Sequence, residues 1–197
     1  MKKSDLLLLP TPHIGVDEVG RGCLAGPVTA AAVIFNSKTD TRKYKDSKQL
    51  QAEERSSLSA SIHKHHLVAI GWASVEEIDE LNILQASLLA MRRAIKLLKI
   101  KSGTLLVDGN QLVPDMGLFN QRAIIRGDEK LRLISAASIV AKVARDQFMT
   151  ELAGKLKHYG FEKHKGYGTR YHREQIQALG PTKWHRQSFS GVKEYIR

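Results

Sequence analysis

The sequence has a single cysteine, Cys23, in 197 residues. One thiol excludes an intramolecular disulfide and makes a cytosolic setting the expectation. Long apolar runs are missing too. The longest near-candidate, Val28 to Phe35, is far too short to cross a bilayer. An export signal is not expected, because Met1-Lys2-Lys3 leads through Asp5 to only four leucines, Leu6 to Leu9, and then Pro10. That stretch reads instead as a first strand. There is no internal repeat and no low-complexity tract. No Gly-rich loop ends in Gly-Lys-Ser/Thr, so a P-loop is excluded. The glycines of Gly20-Arg-Gly22-Cys-Leu-Ala-Gly26 miss the dinucleotide fingerprint by one residue. Two acids precede them and would repel a pyrophosphate, so no small-molecule cofactor is expected.

Hydrophobic residues make up 42% and charged residues 26% of the chain, ordinary values for a folded domain. The length predicts one domain over residues 1–197 and, by default, a monomer. Lys and Arg number 31 against 20 Asp and Glu, a net charge of +11. The excess is uneven: 13 basic against 11 acidic residues in 1–98, but 18 against 9 in 99–197. Residues 155–197 are the most basic stretch. They read as a small helical appendage suited to a polyanion such as nucleic acid, although a solvated surface has the same composition.

Hydrophobic periodicity orders the elements. Strands are expected at His13 to Val19, Thr29 to Phe35, Leu67 to Ser74, Thr104 to Val107 and Ala123 to Arg126. Helices are expected at Gln51 to His65, from Val75 to about Leu98 with Ser74 as N-cap, at Leu131 to Leu152 and at Glu174 to Leu179. Lys163 to Arg170 reads as a basic, glycine-containing loop. The predicted class is α/β, a mixed sheet flanked by helices.

Four carboxylates stand out by position. Asp17 and Glu18 are adjacent in an apolar strand, Asp108 ends another, and Asp146 lies near the end of the long helix. Strand ends are where α/β domains build sites. A set of hard oxygen donors suits Mg²⁺ or Mn²⁺ better than zinc. Beside a basic flank, its natural task is phosphodiester hydrolysis with two divalent ions about 3.5–4 Å apart. Ion pairs with Arg21, Lys142 and Arg145 are the competing use of the same acids. His63-Lys-His65-His66 reads as a solvated helix end, and Cys23 as packing.

The pattern resembles the ribonuclease HII family. Asp17-Glu-Val-Gly-Arg-Gly-Cys-Leu-Ala-Gly-Pro-Val28 matches the family's opening signature. Asp46-Ser-Lys-Gln-Leu50, Leu106-Val-Asp-Gly-Asn110, Gly127-Asp128 and Ala136-Ala-Ser-Ile-Val-Ala-Lys-Val-Ala-Arg-Asp146 follow in the family's order. His164-Lys-Gly-Tyr-Gly-Thr169, His172 and His185-Arg-Gln-Ser-Phe189 complete the set. The resemblance implies a ribonuclease H-like fold and cleavage of RNA in RNA–DNA hybrids. It also implies nicking 5′ to single ribonucleotides in duplex DNA, leaving 3′-hydroxyl and 5′-phosphate ends, and so a part in ribonucleotide removal during replication and repair. Through it, Asp17, Glu18, Asp108 and Asp146 are expected as the four metal-binding acids. Gly20, Arg21 and Gly22 are expected to read the 2′-hydroxyl, and Tyr167 to stack at the RNA-to-DNA junction. Backbone groups freed by glycine suit the first task and an aromatic ring the second.

Lys48, Lys142, Lys165, Arg170, His172 and Arg186 are candidate phosphate contacts, as are Ser135 and Ser138 on the face of Lys142. Cys23 stands where the family usually has proline and Tyr171 where an acid is common. The reading from another class is a non-catalytic nucleic-acid binder whose acids are tied up in ion pairs. Divalent-metal dependence separates the two.

Overall fold

The computed structural model describes residues 8–36, 40–44 and 51–196. Its elements run β1 (His13–Val19), β2 (Val28–Ile34), α1 (Ala52–His65), β3 (Leu67–Ala73), α2 (Val75–Leu81), α3 (Ile83–Leu97), β4 (Gly103–Asp108) and β5 (Phe119–Ile124). A short α4 (Gly127–Lys130), the long α5 (Arg132–Lys155), a short α6 (Phe161–His164), α7 (Arg170–Leu179) and a 3₁₀ turn (Lys193–Tyr195) follow. The strands form one sheet in the order β3-β2-β1-β4-β5. β1, β2 and β3 are antiparallel neighbours, whereas β1, β4 and β5 run parallel. This is the expected mixed sheet with flanking helices.

The alternation of strand side chains divides the core in two. On β2, Ala30 and Ala32 pack towards α3, with Ala90, Met91, Ala94 and Ile95. Ala31 and Val33 pack towards α5, with Ala136, Ala137, Ile139 and Val140. The small residues on α5 let the helix lie close over β1 and β2. It is this closeness that sets the first turns of α5 above the end of β1.

Several boundaries differ from the sequence expectation. Leu8 and Leu9 lie in a turn and bend and form no first strand; Leu6 and Leu7 lie outside the described residues. The helix expected from Val75 to Leu98 is two helices. Asn82 breaks it at φ 73°, and its side chain caps α3 by accepting from the Leu84 and Gln85 amides. The Ser74–Glu77 capping box forms as expected. The strand expected at 123–126 begins earlier, at Phe119, and ends before Arg126, which is left-handed at φ 56°. Beyond α5, Met149, Leu152, Tyr159, Phe161, Ile176 and Val192 form a separate cluster closed by Leu24 and Ala25. The basic C-terminal segment thus packs onto the loop that follows β1. Among the described residues no helix is long and apolar enough to cross a membrane.

Candidate active site

Strand register brings the first two acids together. The last parallel pair of β1 and β4 is Val16 with Val107, so the next step places Asp17 beside Asp108 at the carboxyl ends of both strands. Asp17 lies opposite Ala31 on the α5 face, and Glu18 lies opposite Ala30 on the α3 face. Both still line one cleft of about 450 Å³, which wraps the strand end. No bulge is involved: the β1–β2 pairing is regular through Val19 and Thr29.

The other walls of the cleft are Val19, Gly20, Arg21 and Gly22, then Arg55, Asp128, Ser138, Lys142 and Tyr167. Asp17 is buried and accepts from the Glu18 amide at 2.7 Å. Ser138 on α5 also hydrogen-bonds its carboxyl. Burial, followed by the Glu18 and Asp108 charges, pushes Asp17 well above the usual carboxylate range. Burial likewise raises Glu18, against the pull of Arg21, whose Nη1 stands 3.2 Å from Oε1. The other oxygen, Glu18 Oε2, is buried without a hydrogen-bond partner. Asp108 Oδ1 accepts from the Gly127 amide at 2.5 Å, where α4 begins. That junction sets the neighbouring Asp128, buried at 4% exposure, into the cleft.

The fourth acid lining the cleft is Asp128, not Asp146, which was expected there. Asp146 is not among the cleft walls. It sits two helical turns, about 12 Å, beyond Ser138. There it pairs with Lys142 Nζ at 2.8 Å and with Arg55 at 4.0 Å. In the sequence, Gly127-Asp128 is one of the blocks that match the family, but nothing local announces that its aspartate is buried. Arg55, in a helix that reads as surface, was also missed.

Five candidate phosphate contacts are placed elsewhere. Arg186 is fully buried, donating to the carbonyls of Gly26, Arg21 and Gly20 at 3.0, 2.8 and 2.6 Å. His172 is fully buried against His185. Lys165 lines a second cleft with Arg55 and Asp146, and its Nζ donates to Thr150 Oγ1 and the Glu162 carbonyl. Arg170 is exposed and paired with Glu174. Ser135 is buried in α5 and absent from the cleft walls. Lys142 lies on the cleft, its Nζ 5.6 Å from the centre of the Tyr167 ring. Lys48 lies outside the described residues.

The two glycines of the loop differ. Gly20 has φ 95°, and a Cβ there would collide with the Arg145 side chain. A Cβ on Gly22 would meet nothing within 4 Å. The fold thus requires glycine at 20, whereas glycine at 22 keeps open a surface that faces the cleft. Tyr167, 40% exposed, stands beside this loop through an antiparallel bridge with Cys23.

The cleft joins four acids, three cations, an open glycine backbone and an exposed ring, which is the chemistry of a nuclease. A family model, Ribonuclease HII, matches residues 14–192. The chain belongs to the ribonuclease HII family. Ribonuclease HII is a family of ribonuclease H endonucleases, and a hydrolase of that kind is the activity membership carries. The chain is 50% identical over 182 residues to ribonuclease HII of Pelagibacter ubique, covering 92% of this chain and 97% of that one. Among solved structures, it resembles ribonuclease H2 from Pyrococcus horikoshii at a TM-score of 0.78 and 26% identity, over 93% and 96% of the two chains. It also resembles the ribonuclease HII of a PCNA complex from Archaeoglobus fulgidus, at a TM-score of 0.77 and 28% identity, over 91% and 96%.

Proposed function

We propose that this ribonuclease HII cleaves the RNA strand of RNA–DNA hybrids and nicks 5′ to single ribonucleotides in duplex DNA. The products carry 3′-hydroxyl and 5′-phosphate ends, and the task is ribonucleotide removal. The observation that carries the reading is the pairing of two unlike walls across one cleft. Asp17, Glu18, Asp108 and Asp128 face Gly20–Gly22 and Tyr167.

The donor chemistry fits divalent ions. Burial, and after it the neighbouring carboxylate charge, raises Asp17 and Glu18, and Glu18 Oε2 is buried without a partner. A hard cation relieves both costs. Among the described residues no three such side chains are already gathered as a set that could hold an ion, so the fit is one of donor type. Asp17, Glu18, Asp108 and Asp128 would hold two Mg²⁺ or Mn²⁺ ions. When bound, these supply an activated water and charge stabilisation at the leaving 3′-oxygen.

The chain's own residues do the rest. Ser138 orients the Asp17 carboxyl, and the Gly127 amide orients that of Asp108. Lys142 brings a positive charge to the backbone phosphate. The open backbone at Gly22 approaches the ribose, where a 2′-hydroxyl is both donor and acceptor. Tyr167 offers its ring to the sugar or base that follows.

The test is a 5′-labelled duplex with one embedded ribonucleotide, incubated with and without Mg²⁺ or Mn²⁺ beside an all-DNA duplex. A metal-dependent nick 5′ to the ribonucleotide, absent from all-DNA, is expected. Tight binding with no nick in either metal would return the protein to a non-catalytic binder.

A further inference from the structure

Two arginines lie fully buried beneath the glycine loop, and neither has a carboxylate partner among the described residues. Every donor they use goes to a backbone carbonyl. Arg145 donates from Nε to Pro27 at 2.9 Å, from Nη2 to Ala25 at 3.0 Å and from Nη1 to Lys165 at 2.8 Å. Arg186 donates to Gly20, Arg21 and Gly26, and at 3.3 Å to Pro27. Between them they take up five carbonyls of the segment 20–27 and one from the loop that carries Tyr167.

We infer that Arg145 and Arg186 are positioning residues for ribonucleotide selection, holding the Gly20–Gly22 backbone and the Tyr167 loop as one rigid reader. The inference rests on the proposed reading of the cleft and deepens it. Core filling does not explain the pair, because a buried charge without a counter-ion is less stable than an apolar side chain of the same volume. A guanidinium offers what an apolar chain lacks: donors in a fixed planar fork, able to hold several carbonyls at set angles. With the carbonyls of Gly20 and Arg21 turned inward, the segment's outer side is left for a ligand.

The two loops are joined at further points. Leu24 N donates to Gly166 O at 2.8 Å, and Arg186 N to Leu24 O at 2.9 Å. The backbone bridges Cys23 to Tyr167 and Ala25 to His185 complete the frame. Gly20 belongs to the same device, since its missing side chain is the space that Arg145 fills.

The test compares Arg186→Lys with wild type. Lysine keeps the charge but gathers its donors on one atom and loses the fork. Nicking of the single-ribonucleotide duplex is measured with an all-DNA duplex as competitor, under one metal condition. The ratio of the competitor's Ki to the substrate's KM then reports selection for the 2′-hydroxyl. The variant is expected to lower this ratio at least fivefold, with Ki itself within twofold of wild type. An unchanged ratio with a lower kcat would overturn the inference, because lost folded protein scales turnover and leaves selection alone. A wild-type protein that does not nick would instead overturn the reading beneath it. Should Arg186→Lys fail to fold, Arg145→Lys is scored in the same way. Backbone order in the free wild-type protein gives a further check that needs no variant. Amide order parameters at residues 20–22 are expected near the rigid value of about 0.85, and values below about 0.6 would overturn the inference.

Discussion

The two walls of the cleft are built in opposite ways. The acid wall is made of side chains set by nearby structure. Asp17 and Asp108 stand one register step past Val16 and Val107, and the start of α4 holds Asp108 from beneath. The backbone wall contributes little side-chain chemistry at its glycines and is held from far along the chain. Arg145 reaches across 118 residues to Pro27, and Arg186 across 166 to Gly20. The first wall is costly because carboxylates are buried close together, a cost that a cation removes. The second is costly because charges are buried, a cost that the fold itself must carry. Burial lowers Arg186 to about 10, which still leaves it charged at neutral pH. One wall is completed by its ligand, and the other is complete beforehand. That division suits the proposed selection of a 2′-hydroxyl ahead of cleavage.

If the acid wall serves chemistry and the basic surface serves binding, the largest effects follow from removing an acid. Asp17→Asn and Asp108→Asn are expected to lower nicking on the order of 10³-fold while duplex affinity changes little. Nicking rates and fluorescence anisotropy on the same duplex check this. Affinity that falls in step with activity would erase the contrast between the walls. The placement of the fourth acid sharpens the same point. Asp128→Asn should cost on the order of 100-fold and raise the metal concentration needed for half-maximal rate. Asp146→Asn, which only frees Lys142 and Arg55, should cost less than about 10-fold. The reverse order would put Asp146 back in the site.

The glycines divide the backbone wall in a similar manner. Gly20→Ala forces a side chain into Arg145 at a φ of 95°, so it should lower unfolding stability by about 2–4 kcal/mol in urea. Gly22→Ala has free space, so its stability should stay within about 0.5 kcal/mol of wild type while its KM for a single-ribonucleotide duplex rises. A Gly22→Ala enzyme with unchanged KM would remove this surface from the reader.

What the sequence made legible follows from these two modes of construction. The mixed sheet and three of the acids could be placed because apolar periodicity and strand ends are local signals, whereas Gly20–Gly22 and Tyr167 were marked out by the family resemblance. Asp128 is not legible as a site acid, since burial at the start of a one-turn helix has no local signature. Arg186 and His172 were misplaced for a general reason. A cation in a basic, glycine-rich tail reads as surface, and only packing against Leu24 and Ala25 reveals it as interior. Asn82 misled because helical periodicity runs unbroken across it, while its left-handed backbone does not.

The smallest expected effect concerns the histidines that brace the backbone wall. The Thr182 amide donates to His185 Nδ1 at 3.0 Å, so that nitrogen carries no proton. His185 Nε2–H must then donate to His172 Nε2, 3.1 Å away, and His172 Nδ1–H must donate to the Tyr167 carbonyl at 2.9 Å. A single backbone N–H thereby fixes both tautomers, and both rings are neutral. A further proton would set two N–H groups against each other in a buried site. Burial accordingly lowers His172 to about 4 and His185 to about 3, whereas an unfolded histidine titrates near 6.5. As pH falls, the unfolded chain takes up these protons before the folded one does. The stability held by the pair is intact above pH about 6.5 and is lost on the way down to about 4 and about 3. By pH 5.5 each histidine should account for roughly 1 kcal/mol of lost unfolding free energy. Urea titrations between pH 7 and 5.5 measure the total, to which His66 and His164, likewise lowered by burial, also contribute, and His185→Gln should make that slope shallower. Equal slopes in the two proteins would mean that the pair takes up its proton without strain.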